Sequence, residues 1–332
     1  MGSTLEAKSL RKAVVPPTLL ENPSPGNLQS TRLALHVNED SSSCWVYIAS
    51  GCNIYRLQIP LEDSWLSTGK EGLLIPETKE VIESLLLKRC PHRSEIQSIV
   101  LTEIENVDKI TYSVLPRDFG VGEGSWSGVC FSPIQWSMAA VARSFCKSVD
   151  VYDQDIHLRT LRTLWYPSSL SFMRNLGHGN ESSILAVTEG CQLSVWDLRI
   201  KENGGCLNRI CGSAGDIFYA VCSSSTGNIA VGGADRTVTI YDPRRWSAIS
   251  RWVHCSKYEI TGLAFSSLDP DYIFVQGVDY EVFCGQWQES SKVFSFRGDS
   301  NWLGFSKCSN RDILGGWCDS GSIFVVDVIA KG

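Results

Sequence analysis

The chain has 332 residues, 43% hydrophobic and 20% charged, and a net charge of −6. That is enough apolar material for a large core, while the acidic balance argues against the basic face that nucleic-acid binding needs. No run approaches the ~18 uninterrupted apolar residues of a membrane span. Lys8, Arg11 and Lys12 have no apolar stretch behind them, so no secretory signal is expected.

The thirteen cysteines are an odd number and include no Cys-x-x-Cys pair. Several, such as Cys130, Cys222 and Cys284, take the place of small apolar residues in strand-like runs. The nearest pair, Cys206 and Cys211, has no second ligand pair at zinc spacing. Free thiols follow, and with them a reducing compartment, cytoplasm and/or nucleus.

In chain order, residues 1–31 form an N-terminal segment, 32–328 a single repeat architecture and 329–332 a tail. Pro16–Gly26 is rich in Pro, Asn and Gly and reads as loop. The first unit runs through Val46–Ala49 and Ile54–Leu57 and closes at Arg56. In the long connection that follows, Val81, Ile82, Leu85 and Leu86 fit a helical stripe, and a fourth strand fits nearly as well. Pro91-His92 opens a second unit whose closing strand is expected at Ile110–Val114; it is short, either curtailed (by deletion or splicing) or natively irregular.

After that a beat sets in. Asp153, Asp197, Asp242, Trp287 and Asp327 each close a strand-like segment, at intervals of 44, 45, 45 and 40 residues. A period of about 40–45 residues ending in an aromatic–Asp pair is the signature of propeller blades. The clearest unit has strands at Ile217–Cys222, Ile229–Val231 and Thr237–Tyr241, separated by Gly/Asn/Asp turns. The expected fold is therefore all-β, a seven-bladed propeller with an irregular second blade. Asp327 stands too near the end for a fourth strand to follow. A strand within Leu10–Val15 or Leu28–Val37 is expected to complete the last blade, because an open sheet edge invites aggregation.

These segments resemble the WD-repeat family of β-propellers. Trp196-Asp197 is the family's dipeptide, and Tyr152-Asp153 and Tyr241-Asp242 are variants of it; Pro91-His92, Gly212-Ser213 and Gly298-Asp299 stand at its Gly-His position. The resemblance implies a turn Asp six residues before the aromatic. Asp235 meets that spacing, whereas Cys146, Gly190, Tyr280 and Ser320 do not, so those blades are expected to rely on apolar packing. Ile229–Arg244 further resembles the sixteen-residue box of substrate receptors that dock onto the adaptor of cullin-type ubiquitin ligases, and Ile184–Arg199 has the same length and ending. The carried-over residues are Asp197, Arg199, Asp242 and Arg244. An alternative is that each Arg simply packs across its blade.

Candidate chemistry is sparse. Asp153-Gln-Asp155-Ile-His157 reads as a solvated turn, His178 as loop, and Gly120–Gly128 lacks the strand-then-helix context of a phosphate cradle. No catalytic, cofactor-binding or metal residue is assigned. Seven tryptophans (126, 136, 165, 246, 252, 302 and 317) lie off the blade-closing position. Trp246, following Arg244-Arg245, is a candidate interface anchor. The expected function is a non-enzymatic protein-interaction scaffold in a multiprotein assembly. The alternative is a cullin-ligase substrate receptor.

Overall fold

The structure is a computed structural model describing residues 4–15, 28–37, 42–61, 67–89, 95–101, 114, 126–135, 137–173 and 183–331. The fold is all-β and of the propeller type. Apart from the short 3-10 turns Lys70–Gly72 and Glu202–Gly205, every regular element among the described residues is a strand. The strands make six blade sheets of four or five strands and one two-stranded ribbon among the described residues, against the seven blades expected. The closing strand expected at Ile110–Val114 lies outside the described residues except for Val114, which is not in a strand. Pro91-His92, Pro16–Gly26, Trp136 and His178 also lie outside them. By contacts the chain divides into two compact units, residues 1–101 with 264–332, and residues 102–263.

In the first unit, one blade comprises Leu33–Val37, Ser43–Ser50, Asn53–Pro60 and Glu83–Arg89. Asn53–Pro60 alternates buried and half-buried side chains, the period-2 signature of a strand with one face in a core. Leu57 and Ile59 on its inner face join Val46 and Ile48 in a common cluster. The segment left open between helix and strand is a strand. Glu83–Arg89 pairs antiparallel with Asn53–Pro60, placing Leu86 opposite Tyr55. An isolated helix this short would be marginal, whereas the edge of Asn53–Pro60 supplies a ladder. Ile82, Leu85 and Leu86 are exposed on this outer edge. Residues 95–101 are not in a strand. They are held to the 33–89 blade by Ile96 N–H to the Gly51 carbonyl (2.9 Å), Ile99 N–H to the Thr31 carbonyl (3.0 Å) and an Arg32–Glu95 ion pair.

The last blade comprises Trp302–Lys307, Ile313–Cys318 and Ser322–Lys331, and it is completed from the other end of the chain. Thr4–Val14 runs antiparallel to Ser322–Lys331 from Thr4 opposite Lys331 to Val14 opposite Ser322. Of the two N-terminal candidates the first closes the sheet, and Leu33–Val37 opens the 33–89 blade instead. Leu5 and Leu10 are buried against Phe324, Val326 and Trp302. Glu77–Lys79 adds a fifth strand, parallel to Thr4–Val14. The remaining sheet has Tyr272–Gly277, Glu281–Gln286 and Ser291–Arg297; of its first strand, Ile260–Phe265, residues from Ala264 on belong to this unit.

The second unit contains three consecutive four-stranded blades. The first has Ser127–Phe131, Met138–Arg143, Ser148–Asp153 and Ile156–Arg162. The second has Pro167–Phe172, Ile184–Glu189, Gln192–Asp197 and Cys206–Cys211, and the third Phe218–Ser223, Ile229–Gly233, Val238–Asp242 and Ser247–Trp252. Their third strands carry Val/Ile/Tyr/Trp and end on the aromatic–Asp pairs that set the sequence beat. Neighbouring blades are laced by polar bonds: Ser168 Oγ donates to the Phe218 carbonyl (2.6 Å) and Ser223 Oγ to the Phe172 carbonyl (2.7 Å).

Reliance on apolar packing alone is not what the blades lacking the Asp235 spacing show. In the 127–162 blade the buried Asp150 carboxylate pairs with Arg143 Nε at 2.7 Å and accepts from Thr160 at 2.6 Å. In the last blade Asp312 accepts from Ser266 and from the Ser267 N–H and pairs with Lys307. Buried carboxylates need such partners, and these find them at other positions than the spacing rule names.

Candidate functional site

The sequence places two Asp-x-Arg turns one blade apart, and the fold puts them at equivalent positions. Asp197 ends the third strand of the 167–211 blade, and Asp242 ends the third strand of the 218–252 blade. Asp197 is buried at 4% exposure, yet its carboxylate stays charged because it collects donors from Arg199. The backbone N–H lies at 2.9 Å, Nε at 3.0 Å and an Nη at 2.8 Å. The Arg199 hydrogen bonds hold the carboxyl below the usual range against the opposing effect of burial. The Arg199 side chain nevertheless remains 60% exposed. Its fork is thus aligned by its own Asp, with the outer face toward solvent.

Arg244 is organised differently. Asp242 accepts only its backbone N–H, at 2.9 Å, and the exposed guanidinium makes no ion pair among the described residues. Trp246, two residues on, is half-buried and packs on the cluster that contains Phe218 and Tyr241. It also takes a left-handed backbone conformation, φ 52, which a bulky side chain occupies only when its surroundings compel it. Trp246 therefore braces the turn as well as bordering its surface.

The turn after Asp197 is gripped from the preceding blade. Arg159 donates to the carbonyls of Leu198 (3.0 Å), Ile200 (2.9 Å) and Gly204 (2.6 Å). Gly205, at φ +92, is required there, since a Cβ would come within 2.8 Å of the Asp197 carbonyl oxygen. Beside it lies a cleft of ≈ 490 Å³ lined by Met138, Val151, Leu158, Leu198, Arg159 and Lys201. Arg159 escaped the sequence reading because its partners lie about forty residues away in the next blade.

Asp235 is half-buried and caps its own turn, accepting the Thr237 N–H at 3.1 Å. A denser network forms at Asp299, in the Gly-Asp pair at the family's Gly-His position. It accepts from Ser320 and Ser322, each at 2.6 Å, and pairs with Lys12 at 2.8 Å. Burial alone would raise the Asp299 carboxyl, but the Lys12, Ser320 and Ser322 contacts outweigh it and hold the group well below the carboxylate range. His157 faces Thr160 and Asp150, not Asp153 and Asp155. Trp126, Trp252, Trp302 and Trp317 are core; Trp165 is exposed. The twelve described cysteines are thiols, with burial pushing that of Cys130 up to about 12.

No family model matches this chain, and no curated protein matches it. Among solved structures it is similar to a chain of the "Crystal Structure of Mitotic Checkpoint Complex", with a TM-score of 0.52 and 14% identity, over 95% of this chain and 76% of that one. The likeness is one of fold. At that identity it carries no residue role across.

Proposed function

We propose that this chain is a non-enzymatic WD-repeat-like scaffold, acting in the cytoplasm and/or nucleus, that holds other proteins within a multiprotein assembly. In this reading one docking edge is formed by Asp197, Arg199, Asp242 and Arg244, with Trp246 at its border. The observation that carries it is the exposure of Arg199 and Arg244 at the same turn of neighbouring blades, one aligned by a buried carboxylate. Exposed arginines on a rigid framework offer planar donors to acidic partner groups with little ordering cost. The non-enzymatic reading draws support from the buried carboxylates Asp150, Glu189 and Asp312, each engaged in structural hydrogen bonds. The seventh, irregular blade expected between Pro91-His92 and a closing strand at Ile110–Val114 goes with the same reading.

A second reading is a substrate receptor of a cullin-type ubiquitin ligase, favoured by the consecutive boxes ending in Asp-x-Arg. One experiment addresses both. The wild-type chain and the double variant Arg199→Glu, Arg244→Glu are used as affinity baits in cell extract, with circular dichroism confirming that the variant folds. The scaffold reading expects a partner set that the folded double variant loses, because each reversal replaces charge-assisted donors by repulsion. An unchanged partner set refutes the edge. Failure of the wild type to retrieve the cullin adaptor refutes the receptor reading alone.

A further inference from the structure

At the opposite end of the second unit's blades lies a surface that the Asp-x-Arg edge does not involve. An antiparallel hairpin has its two ends on opposite sides of the sheet, so turn 144–147 lies at the far end of its blade from Asp153. Phe145 in that turn is 56% exposed. Leu164, Trp165 and Tyr166, in the link to the next blade, are 57%, 53% and 55% exposed. Scattered exposed apolar residues are ordinary, but four large ones in two abutting loops form a patch. The loops abut through the Thr163 N–H on the Lys147 carbonyl at 3.0 Å, and the Lys147 ammonium sits 4.7 Å from the centre of the Tyr166 ring.

The patch is held rigid from beneath. Glu189, fully buried in the next blade, accepts the N–H groups of Leu164 (2.5 Å) and Trp165 (2.9 Å) and pairs with Arg209 at 3.3 Å. Thr163 Oγ1 donates to the Trp165 carbonyl at 2.8 Å. Gly190, at φ +57, lets the indole lie close: a Cβ there would stand 3.1 Å from Trp165. A buried carboxylate, a glycine and a hydroxyl thus hold an aromatic loop outward, an arrangement that core packing does not require and preorganised recognition does.

Among the described residues, the exposed charges flanking the patch are cationic. Lys147 and the exposed Arg162 flank it. Among the described residues, the carboxylates at this end of the two blades, Asp150 and Glu189, are buried and matched by Arg143 and Arg209; the next one, Asp216, lies beyond Gly190 in the following link. On a chain of net charge −6 this is a local cationic rim around aromatics.

We propose that Phe145, Leu164, Trp165 and Tyr166, flanked by Lys147 and Arg162, form a docking surface for a linear segment of a partner protein that carries apolar or aromatic anchors between Asp and Glu residues. The surface is independent of the Asp-x-Arg edge, so the chain can hold two partners at once.

The test is selection of a random sixteen-residue peptide library on the full chain, followed by anisotropy titration of the selected peptides. Peptides that combine acidic residues with Phe, Trp, Tyr or Leu are expected. Their affinity should fall about tenfold or more in Trp165→Ala, the loss typical of a buried aromatic anchor, and severalfold in Lys147→Glu. The same reversal at Lys70 should leave it unchanged, and raising the salt should weaken binding. Circular dichroism of each variant separates lost binding from lost fold. Basic or neutral selected sequences, or full binding by folded Trp165→Ala, overturn the proposal. So does self-association of the wild type that Trp165→Ala abolishes, since a second copy would then be the occupant.

Discussion

Replacing Asp299 by alanine probes the closure of the last blade at its tightest polar contact. Asp299 holds the first strand of the chain to the last blade through Lys12 and holds the turn into Ser322–Lys331 through Ser320 and Ser322. A hydrogen bond to a charged group contributes roughly 1.5–3 kcal/mol, toward the low end where water competes, and a half-exposed ion pair adds no more than about 1. With both side chains about one-third exposed, the expected loss is about 2–3 kcal/mol. Native-state hydrogen exchange reads such a loss locally. Amides of residues 4–14 and 322–331 should exchange roughly 30- to 150-fold faster in Asp299→Ala than in wild type, at about 1.4 kcal/mol per decade. Asp319 serves as the control, since its exposed carboxylate accepts a single bond, from Asn301 at 3.0 Å; Asp319→Ala should change exchange less than about fivefold. The ratio between wild type and Asp299→Ala also depends on pH. The folded carboxyl lies below its unfolded value near 3.9, so its contribution is complete above about pH 5 and fades as pH falls below about 4. Equal effects at Asp299 and Asp319, or a ratio that does not change from pH 7 to pH 3, would refute the reasoning.

Two further outcomes follow from burial. Leu10→Ala removes a fully buried side chain beside Trp302 and Phe324 and should destabilise the protein by about 2–5 kcal/mol in urea titrations read by tryptophan fluorescence; a loss below about 1 kcal/mol would contradict the packing. Under native conditions at pH 8, iodoacetamide should modify the exposed Cys211 well before Cys44 and Cys284, whose thiols burial pushes far above their ordinary range; mass spectrometry showing equal rates would contradict it.

What the sequence disclosed was whatever repeats or is missing from a repeat. Asp153, Asp197 and Asp242 close equivalent strands, so their spacing reports the blade period directly. The need for an N-terminal strand was legible because the last blade lacked one, but the candidate Leu10–Val15 covers only the second half of Thr4–Val14. The segment through Glu83–Arg89 was ambiguous because its apolar spacing suits either period, and only its pairing with Asn53–Pro60 decides. The polar networks were not legible, since their partners are distant: Asp299 is completed by Lys12 from the opposite terminus, and Glu189 by a link some twenty-five residues earlier. A spacing rule sees only Asp235, whose bonds are local. Nor does the sequence around Trp165 tell whether its indole enters a core, because the answer lies in the Gly190 turn of the next blade.

The pairing of Thr4–Val14 with Ser322–Lys331 also bears on how the protein is made. Most blades join strands that emerge from the ribosome within tens of residues of one another and can assemble as they appear. The last sheet instead pairs Thr4 with Lys331, a contact of very large sequence separation. Until residues 322–331 have left the exit tunnel, Thr4–Val14 waits as an unmatched strand with Leu5 and Leu10 uncovered. A chain stalled before that point keeps an apolar strand edge uncovered, the kind of surface that makes incomplete folds prone to aggregate.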